Sequence, residues 1–111
     1  MNPLPDDFYY DHHKQLVAVE LKSRKSGYRE IATGIGQCIL SLNMPSITAA
    51  YLVLPQGWVS DTLKSAVRVC PYLGILSYGS RGRITIELEP QGYLKRADLD
   101  TARIEDAKTN G

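Results

Sequence analysis

The chain has 111 residues, a formal net charge of +1, 23% charged and 43% hydrophobic residues, which fits one ordinary globular domain with a small core. No apolar run is long enough to span a bilayer, and the start, Met1-Asn2-Pro3-Leu4-Pro5-Asp6-Asp7, lacks the basic and apolar stretches of a signal peptide. A cytoplasmic, intracellular protein without a membrane partner is therefore expected, and with so small a net charge any case for nucleic acid must come from local clusters.

Taken in chain order, residues 7–10 (Asp-Phe-Tyr-Tyr) predict a short aromatic strand, and Asp11-His12-His13-Lys14 predicts a turn. Gln15 to Lys22 is largely apolar and suits a strand buried on both faces, so the first two strands form a hairpin. From Tyr28 to Asn43 the period becomes helical, with Ile31, Ile35, Cys38, Ile39 and Leu42 on one stripe. Ile47 to Leu54 predicts a central strand, stopped by Pro55-Gln56-Gly57. Ser60 caps a second helix with Asp61 in its first turn, and Leu63, Ala66, Val67 and Cys70 give its buried face. Leu73–Tyr78 and Arg83–Glu89 predict two last strands around Gly79-Ser80-Arg81-Gly82. Residues 1–90 thus form the domain, and 91–111 a polar tail with a weak helical pattern from Ala97 to Ala107.

The expected order is β-β-α-β-α-β-β, an α/β architecture with a mixed central sheet and flanking helices. Cys38 and Cys70, too few for a disulfide framework or a zinc site, read as small core residues. His12 and His13 are expected to point apart in their turn. Thr33-Gly34-Ile35-Gly36 lies inside a helical pattern, so its glycines predict close helix–sheet packing rather than a dinucleotide loop.

The informative segment is Val19-Glu20-Leu21-Lys22. In a strand, Glu20 and Lys22 project to one face, roughly 7 Å apart. A lone carboxylate at the end of a buried strand is unfavourable unless a cation offsets it. A four-residue turn at 11–14 pairs Tyr10 with Gln15 and sets Asp7 on the Glu20 face. A turn shorter or longer by one residue sets Asp6 there instead. Either way two carboxylates and an ammonium converge, a hard-oxygen set suited to magnesium.

Pro5-Asp6 (or Asp7) followed by Glu20-Leu21-Lys22 resembles the signature of the PD-(D/E)XK nuclease superfamily, the restriction-endonuclease-like nucleases. Gly36-Gln37-Cys38-Ile39-Leu40-Ser41 resembles the Gly-Gln-Leu helix segment of its RecB-like branches, and the likeness also touches archaeal Holliday junction resolvases. It runs from about Leu4 to Pro90. Five residues precede Asp6, so the family's N-terminal helix is expected to be missing, and Ser41 stands where the RecB-like pattern has Tyr.

The resemblance implies a restriction-endonuclease-like core and a Mg2+-dependent (Mn2+-tolerant) endonuclease acting on DNA, in a prokaryotic or viral setting. Asp6 or Asp7 and Glu20 would hold the metal, with the Leu21 carbonyl as a third ligand. Lys22 would position or deprotonate the attacking water, and Gln37 would orient groups from the helix. A homodimer is expected, because one site cuts one strand. The alternative is a nuclease-like module that binds DNA or a protein without cutting. Arg24, Lys25 and Arg29 either bind backbone phosphates or form a solvated loop. Arg81 and Arg83 offer a second patch or a solvated turn. Trp58 reads as a loop residue able to anchor an interface, and Tyr9 and Tyr10 as core residues or base-stacking platforms.

Overall fold

A computed structural model of the chain describes residues 5–25 and 27–95. Strands β1 (Asp7–Tyr10), β2 (Leu16–Leu21), β3 (Ala49–Pro55), β4 (Leu73–Tyr78) and β5 (Ile84–Leu88) form one sheet in the order 1-2-3-4-5. Helices α1 (Glu30–Ser41) and α2 (Asp61–Val67) fill the two connections between β2, β3 and β4. These three strands run parallel, while β1 and β5 are antiparallel edges. The α/β class, the mixed sheet and the element order all agree with the sequence pattern. Among the described residues no helix is long and apolar enough to cross a membrane.

Both helices pack on the same face. Ile31, Cys38 and Leu42 of the α1 segment and Val67 of α2 share one core with Ala18, Ala50, Leu52, Leu54 and Ile75 from the sheet. Leu54 and Ile75 are fully buried, and each such side chain stabilises the fold by roughly 1.5–3 kcal/mol. The other sheet face carries a smaller cluster of Val17, Ala49 and Tyr51, flanked by Leu76 and Tyr93. Tyr9 stacks on Tyr51 there, with centroids 6.4 Å apart, yet Tyr9 and Tyr10 are both exposed, so neither is the core residue that its place in an aromatic strand suggested.

The first hairpin differs from the expected register. Lys14 N–H donates to the Asp11 carbonyl and Asp11 N–H to the Gln15 carbonyl, both at 2.9 Å, and Lys14 takes a left-handed conformation with φ 62°. This is a three-residue loop, a type I turn followed by a left-handed residue. It pairs Tyr10 with Leu16 and Asp7 with Val19, one residue away from the register of a four-residue turn. Asp11 Oδ1 holds the turn by accepting from His13 and Gln15 N–H at 2.9 and 3.0 Å.

The helices also depart in detail. The buried row of α1 is Ile31, Gly34, Cys38 and Ser41, and Ile39 is exposed. The helix is turned toward Gly34 because only a missing side chain lets it approach the sheet. A Cβ at Gly34 would lie 2.7 Å from Leu52 Cδ1 and 3.1 Å from Lys22 Cε, whereas one at Gly36 would meet nothing. In α2 the Ser60 cap is present, its Oγ accepting from Leu63 N–H at 3.1 Å. Val67 is buried and Leu63 and Cys70 half-buried, but Ala66 faces solvent.

Residues 91–95 cross the amino end of the parallel strands. Gln91 N–H donates to the Pro71 carbonyl and Leu94 N–H to that of Thr48, both at 2.8 Å. The helical pattern expected from Ala97 to Ala107 lies outside the described residues.

Candidate functional site

The carboxyl ends of parallel strands, where successive loops diverge, are where open α/β sheets usually place their ligands. Here that edge gathers the end of β2, the amino end of β1 and the start of the α1 segment. One step beyond the Asp7–Val19 pair puts Asp6 across from Glu20. Alternation along the strands then sets Asp6, Glu20 and Lys22 on the face covered by α1. Asp7 falls on the opposite face, where its Oδ1 accepts from Phe8 N–H at 2.8 Å. Of the two early aspartates the fold brings Asp6 to Glu20 and takes Asp7 away.

Glu20 is 3% exposed. Its Oε1 lies 3.7 Å from Lys22 Nζ, and its Oε2 is buried without a hydrogen-bond partner. The Asp6 carboxyl lies within hydrogen-bonding reach of it. Two ionised carboxylates are both acceptors, so this approach satisfies neither oxygen unless a proton or a cation stands between them. Burial foremost, then the Asp6 charge, raises the Glu20 carboxyl above the usual glutamate range, and Lys22 opposes that rise only in part.

The strand end is fixed on both sides. Lys22 N–H donates to the Val53 carbonyl at 2.9 Å, and the Tyr78 hydroxyl donates to the Lys22 carbonyl at 3.3 Å. Leu21 therefore faces away from β3, and its N–H donates to Asp6 Oδ2 at 2.7 Å. In extended chain the carbonyl of a residue points to the same side as its N–H. The Leu21 carbonyl accordingly lies on the Asp6 side of β2.

Helix α1 closes the site from above. Gly34 sits over the Lys22 stem and Leu52, and Gln37, one turn further on, has a buried Oε1 without a partner. Cys38 is buried beside Glu20, and burial, with the Glu20 charge second, pushes its thiol up to about 12. A thiol so rarely ionised is no nucleophile; Cys38 and the half-buried Cys70 are both free and serve as core residues. Ser41 turns its Oγ to the Cys38 carbonyl at 2.6 Å.

Arg24, Lys25 and Arg29 are exposed around this edge. Arg24 Nη2 donates to the Gln56 carbonyl at 3.0 Å, and Arg29 is the residue from which α1 starts. Trp58 is half-buried and meets Tyr28 edge-on at 5.7 Å, tying the loop after β2 to the loop after β3. His12 and His13 do not diverge; their rings lie 3.9 Å apart, at the other end of the sheet.

Two contributors are not legible as site residues in the sequence. Tyr78 arrives from 56 residues downstream, and Gln56, whose carbonyl holds Arg24, looks like an ordinary polar residue. Gly34 had a usable signal, a glycine three residues before Gln37 within an otherwise regular helix. Among the described residues no three His, Cys, Asp or Glu side chains gather in one place, so the site's acidic side chains are a pair. The chain matches no family model and no curated protein.

Proposed function

We infer that the chain is a metal-dependent deoxyribonuclease with a restriction-endonuclease-like core, cutting phosphodiester bonds endonucleolytically. The observation that carries this reading is the Asp6–Glu20 carboxylate pair at the end of β2, with one buried glutamate oxygen unpartnered and Lys22 beside it. The donor set fits magnesium: carboxylate oxygens and a backbone carbonyl are hard ligands, and this ion commonly takes only one or two carboxylates while keeping several waters.

Asp6, Glu20 and the Leu21 carbonyl would hold the ion. Bound there, magnesium supplies Lewis acidity toward a phosphate oxygen and lowers the pKa of its water. The Lys22 ammonium, held between Glu20 and the underside of α1, has the position to orient the water and stabilise charge developing on the phosphate. Gln37 offers its unpartnered carbonyl oxygen to a water or ligand N–H. Arg24, Lys25 and Arg29 supply positive charge to the DNA backbone, and duplex cutting then takes two copies of the chain. That the acidic side chains are a pair rather than a trio among the described residues favours a second reading, a nuclease-like module that binds DNA or a protein without cutting.

Incubating supercoiled plasmid and a four-way junction with the protein and Mg2+ or Mn2+, beside Glu20→Ala, separates these readings. Cleavage that needs the metal and disappears in the variant supports the enzyme, and DNA binding without cleavage by either protein supports the module. Thermal stabilisation by Mn2+ in the parent but not in Glu20→Ala reports the ion independently of turnover.

A further inference from the structure

A groove opens along the same sheet edge, between the turn after β3 and the turn joining β4 to β5. Gln56, Gly79, Ser80, Arg81 and Arg83 form its walls, and it runs on to Arg24. Two adjoining depressions thus share Gln56, Gly79 and Ser80 as walls, Arg81 and Arg83 lining one and Arg24 the other, and none of the described residues lining them is acidic. Neither Arg81 nor Arg83 makes an ion pair among the described residues. Arg24 is held by its bond to the Gln56 carbonyl, which leaves most of its five donors for a ligand.

Arg81 (φ 64°) and Gly82 (φ 72°) are both left-handed, and Gly79 N–H donates to the Arg83 carbonyl at 2.8 Å. Two central residues with positive φ make a type I′ turn, whose first central position prefers Asn, Asp or Gly. The turn does not itself require a long cationic side chain at Arg81, so the charge can be removed there without undoing the turn.

We propose that this groove is a phosphate subsite in which Arg81 and Arg83, with Arg24 at its mouth, grip the backbone of a DNA strand. Two to three strand spacings separate it from β2, roughly 10–15 Å. That is too far for the phosphate at Glu20, so the groove takes another phosphate of the same strand. The proposal rests on the nuclease reading for its ligand, but its failure is separately visible.

Arg81→Asn is the informative variant, because Asn suits the left-handed position and removes only the charge. Binding of the full chain to a fluorescein-labelled DNA duplex is followed by anisotropy in calcium at 50–200 mM salt. Arg81→Asn and Arg83→Gln together are expected to weaken binding about tenfold and to lower the slope of log K against log salt by about one per lost contact, with the Tm of Arg81→Asn no lower than the parent's. Unchanged affinity and slope, no binding by the parent, or a loss of binding that tracks a loss of Tm would each overturn the subsite. Arginine-dependent binding without metal-dependent cleavage supports the groove and sinks the nuclease; cleavage with binding indifferent to these arginines does the reverse.

Discussion

At the amino end of β2, the Asp11 carboxylate accepts from His13 and Gln15 N–H and from the Tyr93 hydroxyl. At the carboxyl end, Glu20 has one oxygen 3.7 Å from Lys22 and the other without a hydrogen-bond donor. Burial works against ionisation at both. Around Asp11, the Tyr93 and backbone donors and the His12 charge outweigh burial, and its carboxyl falls below the usual aspartate range. Around Glu20 burial wins, helped by Asp6, and the carboxyl rises. The difference lies in the donors rather than in the acids. Asp11 is a finished structural contact, whereas the Asp6–Glu20 pair lacks the proton or cation that two facing carboxylates require.

The two carboxylates should differ most in function. Glu20→Ala should lower metal-dependent cleavage by about 10²–10³-fold or more, measured as the rate of plasmid nicking, while Asp11→Asn should leave that rate within severalfold of the parent. Equal losses at both positions would remove the distinction.

Stability reverses the ranking. Asp11→Ala removes an acceptor from three donors and should cost about 2–3 kcal/mol in chemical denaturation.

The pH dependence carries opposite signs. A lowered carboxyl contributes stability that is fully present above the ordinary aspartate pKa and is lost as pH falls through the lowered value. Tyr93→Phe should therefore cost about 1–2 kcal/mol at neutral pH and shift acid unfolding upward in pH. For Glu20 the folded state holds its proton longer than the unfolded state. Its contribution to stability falls as pH rises from the ordinary glutamate pKa to the raised one, then stays constant. Glu20→Gln should abolish that fall, read as Tm against pH without metal; a parent curve that the variant reproduces would contradict the raised value.

Gly34→Ala should disturb the packing of α1 on the strand end, since its Cβ would press on Leu52 and the Lys22 stem. A loss of about 1–3 kcal/mol is expected, with weakened Mn2+ stabilisation as Lys22 moves. Ser60→Ala, which removes the α2 cap, should cost about 1 kcal/mol and leave Mn2+ stabilisation unchanged.

Much of the architecture was legible because it rests on local periodicity. The apolar run from Gln15 to Lys22, the helical spacing from Ile31 to Leu42 and the Ser60 cap each announce an element, and the order of elements followed. The meeting of Glu20 and Lys22 on one face was legible too, since strand alternation needs only a two-residue count. Which aspartate joins them was not. That choice turns on one residue of loop length at Asp11–Gln15, and a single step inverts the side-chain facing of a whole strand.

The strands, the helices, their order and the Glu20–Lys22 pairing follow from neighbours along the chain. Tertiary structure alone selected Asp6, left Glu20 Oε2 without a donor, and brought Tyr78 to the Lys22 carbonyl. It also set Arg81 and Arg83 along one groove and Arg24 along the depression beside it. Each depends on register or on contacts between residues dozens of positions apart, and no local pattern encodes those distances.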